Sequence, residues 1–187
     1  MYKAVMIGGS AGSFQVVASI LGSLPKNYEL PIFLCLHRLK HVRTGFVEVL
    51  SLKSAIPVIE PYDKEPIKPG RAYLAPANYH MYIELGNKFA LSTEAPLNHS
   101  RPSIDLSFVT AAQVYRNKLV GIILSGANKD GAYGLKKVAE YGGTTIVQDP
   151  NTCEVRTMTE AALQMGNVNH IFSIDKIASF VANLKAI

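Results

Sequence analysis

Val5-Met6-Ile7-Gly8-Gly9-Ser10-Ala11-Gly12 runs from an apolar, β-rich segment into a glycine-rich turn, and helical spacing follows at Phe14, Val17, Ile20 and Leu21. Strand, tight turn and helix in that order form the start of a βαβ unit, and the order repeats along the chain. Residues 31–36 are a near-continuous apolar run, as in a strand covered on both faces. Residues 44–52 have helical character, and 57–59 form a short strand. After a turn-rich link at 63–70, residues 71–75, 80–85 and 88–91 suggest antiparallel pieces, the last two meeting at Gly86-Asn87. The alternation then resumes with a helix over 103–115 capped by Ser103, a buried strand over 119–124, and a helix over 131–141 ended by Gly142-Gly143. A strand over 144–147 and helices over 13–24, 157–165 and 175–184 complete the pattern. It predicts an α/β fold: a doubly wound, mainly parallel sheet flanked by helices, with a small antiparallel β insertion around residues 71–91.

Bulk properties narrow the class. The 187 residues fit one domain over 1–187, with 48% hydrophobic residues to fill its core. No apolar run reaches the ~20 residues that cross a bilayer, and the N-terminus lacks a secretory pattern, so a cytoplasmic protein that is not membrane-embedded is expected. Cys35 and Cys153 stand far apart without metal-type spacing, and Cys35 reads as a small core residue. His41, His80, His99 and His170 are scattered without ligand spacing, so no metal site is expected. The net charge of +5 is modest and spread along the chain, which suits an acidic macromolecular partner, and no nucleic acid is expected among its partners.

Ligands of open α/β sheets bind beyond the carboxyl ends of the strands. Ser10, His37 and Asp130 each lie just past such an end, and together they are a nucleophile, a base and an orienting carboxylate. Gly8-x-Ser10-x-Gly12 has the spacing of a nucleophile elbow. Oxyanion donors would be the amide of Ala11, placed at the start of the first helix, and one from Gly126-Ala127. The order Ser, His, Asp differs from that of the α/β-hydrolases. Other readings stay open at this point: an anion-binding turn at Ser10, a capping role for His37, and Asp130 as the cap of its own following helix.

Several blocks in a fixed order carry a more specific signal. Ile7-Gly8-Gly9-Ser10-Ala11-Gly12, Cys35-Leu36-His37, and Pro69-Gly70-Arg71-Ala72-Tyr73-Leu74-Ala75-Pro76 come first, followed by His80-Met81. Arg101-Pro102-Ser103-Ile104-Asp105, Gly121-Ile122-Ile123-Leu124-Ser125-Gly126 and Lys129-Asp130-Gly131-Ala132 come after them. In these blocks the chain resembles the catalytic domain of the chemotaxis protein-glutamate methylesterases, the CheB family, over essentially its whole length. The resemblance implies a Ser-His-Asp triad at Ser10, His37 and Asp130 and no cofactor. It further implies hydrolysis of glutamate methyl esters on the cytoplasmic domain of a chemoreceptor, with methanol released, and deamidation of glutamines as a second activity.

Regulated members of that family carry an N-terminal receiver domain. This sequence opens at the catalytic strand, so control is expected to be absent or supplied by a separate receiver-domain protein. The chain also has Ser13 where the family has a further glycine, and Arg38-Leu39 where it has Met-Pro. Gly126-Ala127-Asn128-Lys129-Asp130-Gly131 stands for Gly-Met-Gly-Asn-Asp-Gly. Lys129 would pair with a receptor carboxylate or remain a solvated loop charge. A non-catalytic scaffold that binds receptor helices through the same face, and an anion- or nucleotide-binding protein, are the competing functions.

Overall fold

A computed structural model describes residues 1–38 and 45–187. Successive side chains of a strand point to opposite faces. Along β1 (Ala4–Gly9), Val5 and Ile7 enter one buried cluster while Ala4 and Met6 enter another. The split recurs in β2 (Ile32–Leu36), where Ile32, Leu34 and Leu36 face one way and Phe33 and Cys35 the other. Both faces of the sheet therefore need cover. One face is covered by α1 (Phe14–Gly22), α2 (Phe46–Lys53) and α6 (Ile174–Ala182). The other is covered by α3 (Ile104–Tyr115), α4 (Ala132–Glu140) and α5 (Thr157–Met165). None of these helices is long and apolar enough to cross a membrane.

The remaining strands are β3 (Val58–Ile59), β4 (Ala72–Leu74), β5 (His80–Glu84), β6 (Lys88–Ser92), β7 (Leu119–Ile123), β8 (Thr144–Gln148) and β9 (His170–Phe172). Among the described residues, seven of these nine strands form one sheet in the order β3-β4-β2-β1-β7-β8-β9, and every neighbouring pair is parallel. The chain builds outward on one side of β1 and then crosses to β7 on the other. That reversal is the topological switch point, where such sheets open a crevice. Ser10 stands at it, its N–H donating to the Ser125 carbonyl at 2.9 Å.

The doubly wound architecture is the one the alternating pattern predicts, with some differences in detail. Residues 71–75 are not part of the antiparallel insertion: β4 pairs in parallel with both β2 and β3, because Tyr73 and Leu74 are needed in the two cores. The antiparallel pair is β5 with β6 alone, and its turn takes positive φ at Asn87 (55°) rather than at Gly86. Phe89 ties this hairpin to the sheet, 5.8 Å edge-on to Phe33 and 4.7 Å from Tyr73 between ring centroids. Strand β9 is too short and too exposed to announce itself by alternation. The first helix starts at Phe14 with Ser13 as its N-cap. The second starts at Phe46, and the expected start at Thr44, like Leu39, His41 and Arg43, lies outside the described residues.

Close packing beneath the switch point depends on Gly8. A Cβ there would meet Ile104 Cγ2 at 2.5 Å and the Phe108 ring at 3.0 Å. The missing side chain lets the first turn of α3 sit directly on β1. Gly8→Ala should therefore overpack this contact and cost about 1–3 kcal/mol of unfolding free energy, read by urea denaturation.

Candidate active site

Register brings the first two candidates together. Gly9 of β1 pairs with Leu36 of β2, so Ser10 and His37 are the next step along two adjacent parallel strands. The backbone confirms the step: His37 N–H donates to the Gly9 carbonyl at 3.1 Å. Neighbouring strands lie about 4.8 Å apart, which places both side chains at the mouth of one crevice.

The turn that carries Ser10 is braced from two sides. Ser13, buried, turns its hydroxyl back to the Ser10 carbonyl at 2.6 Å instead of capping α1. Ser125 Oγ reaches the Ala11 carbonyl at 2.7 Å and accepts the Val155 N–H at 3.0 Å. The Ser10 hydroxyl itself makes no hydrogen bond among the described residues.

Asp130 arrives from the loop after β7 and is fully buried. A lone carboxylate there would be costly, so its partners explain its place. Four donors converge on it: His37 Nε2 at 2.8 Å, Ile104 N–H at 2.7 Å, Asp105 N–H at 3.1 Å and Ser103 Oγ at 3.1 Å. Three of these belong to the start of α3, where free N–H groups and the helix dipole favour an anion. Asp130 thus caps α3 and not its own following helix, α4, whose N-cap is Gly131. Burial opposes its ionisation, but the His37, Ile104 and Asp105 hydrogen bonds outweigh it and hold the carboxyl below its ordinary value. His37 is 13% exposed, so one edge of its ring remains open to the crevice. With Nε2 engaged by Asp130, that leaves Nδ1 as the ring nitrogen available to a substrate or to Ser10.

The loop donors are narrower than the sequence suggests. The Gly126 N–H is already given to the Val155 carbonyl at 2.9 Å, while its own carbonyl accepts from Met158 N–H at 3.0 Å. Gly126 is therefore pinned to the start of α5 and has no N–H to offer an oxyanion. Ala127, the next residue, is exposed, and its N–H makes no hydrogen bond among the described residues. Ala11 is also exposed with an unengaged N–H, but it lies in the turn before α1 rather than at the helix start. Lys129 is exposed at the same rim. Cys35 is fully buried beneath the site, where burial pushes its thiol far up and makes it inert.

Two supporting residues have no signal in sequence spacing. His80, fully buried, accepts the Ser103 N–H on Nδ1 at 3.1 Å and reaches the Ala95 carbonyl from Nε2 at 3.1 Å. It fixes the N-cap residue that in turn touches Asp130. Asp105 does for α4 what Asp130 does for α3: its Oδ1 accepts the N–H groups of Gly131 at 2.9 Å and Gly134 at 2.7 Å. An acid in the first turn of α3 is readable as a dipole effect, but its reach to a second helix is a tertiary fact.

The family model described as CheB methylesterase matches residues 5–181. A Leptospira interrogans protein is 42% identical over 183 residues, which is 98% of this chain and 95% of the relative. Proteins named protein-glutamate methylesterase/protein-glutamine glutaminase match at 31% identity in Clostridium acetobutylicum and 34% in Thermotoga maritima. This chain spans about half of each, 53% and 52%. The crystal structure of the Thermotoga maritima CheB methylesterase catalytic domain superposes with a TM-score of 0.92 at 32% identity, covering 97% of this chain and 98% of that one. A family model that spans most of the chain and similarity along its whole length have one explanation: this chain belongs to the CheB methylesterase family.

Proposed function

We propose that this protein is a serine carboxyl-ester hydrolase that removes methyl esters from glutamate side chains on the cytoplasmic domain of a chemoreceptor. The observation that carries this reading is the His37–Asp130 pair, 2.8 Å apart, set at the end of the strand beside Ser10. Family membership supplies the substrate class. The same site would hydrolyse the side-chain amide of glutamine and release ammonia. A place in the cytoplasm follows from that substrate.

The chemistry balances with the groups in place. Ser10 Oγ turns to Nδ1 of His37, gives up its proton and attacks the γ-carbonyl carbon. Catalytic contacts of this kind are often unformed in the free enzyme and tighten on substrate binding. The tetrahedral oxyanion is met by the N–H groups of Ala11 and Ala127. Collapse breaks the bond to methoxide, which takes the proton from His37 and leaves as methanol. Water then attacks the acyl-serine, passes its proton through His37 back to Ser10, and frees the glutamate carboxylate. Asp130 keeps the ring oriented and stabilises the imidazolium at each step without taking the proton itself.

Methanol release from a methylated receptor fragment tests the proposal directly. Wild-type protein should release methanol and label at Ser10 with a fluorophosphonate, and Ser10→Ala should do neither while keeping its fold. Undiminished release from Ser10→Ala would sink the reading. Absent labelling with intact receptor binding would put a scaffold in its place.

His37→Gln and Asp130→Asn should each lower kcat by about 10⁴, because the first removes the base and the second presents the wrong partner to Nε2. Asp130→Ala should cost stability as well, since it leaves the buried N–H groups of Ile104 and Asp105 without an acceptor, at about 1–3 kcal/mol each. Circular dichroism melts would separate that loss from the loss of rate.

A further inference from the structure

Asp105 is a buried carboxylate that the reaction does not use, 6% exposed, one helix away from Asp130. The two acids are exchanged between neighbouring helices. Asp130, just before α4, accepts the Asp105 N–H of α3, and Asp105 accepts the N–H of Gly131, the residue after Asp130. Each acid therefore sets the backbone from which the other projects. Asn98 Nδ2 closes the outer side at 3.1 Å from Asp105 Oδ2.

The surroundings leave this second charge poorly balanced. Asp130 faces it from the loop before α4, while Lys129 and Tyr133 line the cavity of about 540 Å3 that reaches it. From α5 that cavity receives the neutral Ala161, Gln164 and Met165, and beneath α3 lie the Cys35 thiol, which feels the Asp105 charge, and His80, held on Ser103. Burial and the neighbouring Asp130 charge push the Asp105 carboxyl up to about 6, against the lowering pull of the Gly134 and Gly131 N–H groups. Its carboxyl holds the Gly131 and Gly134 N–H groups while its own N–H binds Asp130 Oδ1, the oxygen that His37 does not hold.

We infer that Asp105 is a positioning residue for this site: it fixes the Asp130 loop through Gly131 and Gly134 and places a second negative charge behind the imidazole. The inference rests on the esterase reading above. A charge so placed favours the charged transition state, so its removal should weaken that state and move the acid limb of the pH profile to lower pH. Asp105→Asn suits the test because an amide oxygen still serves both glycine N–H groups, and the exposed Asn98 amide can turn to meet the new NH2 group.

The experiment follows two rates across about pH 5 to 9: Ser10 labelling by a fluorophosphonate, and kcat/KM for methanol release from a methylated receptor fragment. In Asp105→Asn the acid limb of both should move to lower pH by about 0.5 or more, with plateau kcat down about threefold to tenfold and KM within about twofold. Asn98→Ala spares the buried hydrogen bonds and only destabilises the Asp105 charge, so it should move the limb the same way by less. It decides the matter should the first variant fail to fold. A residue that merely holds the loop would leave the limb where it is, and an unmoved limb in the folded variants overturns the inference. Wild-type protein that neither labels nor releases methanol overturns the esterase reading and the inference with it. Normal wild-type activity with an unmoved limb overturns the inference alone.

Discussion

Two helices, α3 and α4, begin side by side at the carboxyl end of the sheet, and each presents free N–H groups and the positive end of its dipole. Left alone, these ends would repel and keep unsatisfied donors buried. The chain resolves both problems by exchanging carboxylates: Asp130 enters the start of α3, and Asp105 enters the start of α4. This exchange fixes the spacing of the helices and the path of the loop between β7 and α4. His37 then reaches a carboxylate whose position is determined by backbone rather than by flexible side chains.

The constraint extends into the packing below. For Ile104 to offer its N–H to Asp130, the first turn of α3 must lie against β1, and only a residue without a Cβ at position 8 allows it. Gly131 meets a parallel demand, with φ of 100° and no room for a Cβ beside Ile104 and Ile123. Rigid support thus surrounds His37 and Asp130. The other half of the crevice is built differently: the Ser10 turn is braced by the hydroxyls of Ser13 and Ser125, while the N–H groups of Ala11 and Ala127 stay exposed at the rim. That division suits the proposed reaction, in which the proton-handling pair would be fixed before substrate arrives and the oxyanion donors would face the side from which it comes.

Much of this was legible in the residues, for identifiable reasons. The alternation of Val5 and Ile7 against Ala4 and Met6 requires two cores, and two cores require helices on both faces. A parallel sheet puts its chemistry at strand ends, which is enough to single out Ser10, His37 and Asp130 without any knowledge of their contacts. Tertiary pairing was not legible. Ala72–Leu74 reads as a hairpin piece because its neighbours in sequence are antiparallel, yet its partners are β2 and β3. Asp105 and His80 have ordinary local settings, and their importance comes from groups that fold topology alone brings near.

The loop from Ala127 to Lys129 leads directly into Asp130, and the structure shows which parts of it bear on that carboxylate. Asn128 turns its Oδ1 inward to accept the Asp130 N–H at 3.1 Å and reaches Ser100 Oγ from Nδ2 at 3.3 Å. Its side chain therefore orders this turn locally. Ala127 and Lys129 project outward on either side of it. The loop positions thus divide by direction: the inward one holds Asp130, and the outward two face solvent. Neither of those two side chains takes part in the hydrogen bonds that hold the His37–Asp130 pair.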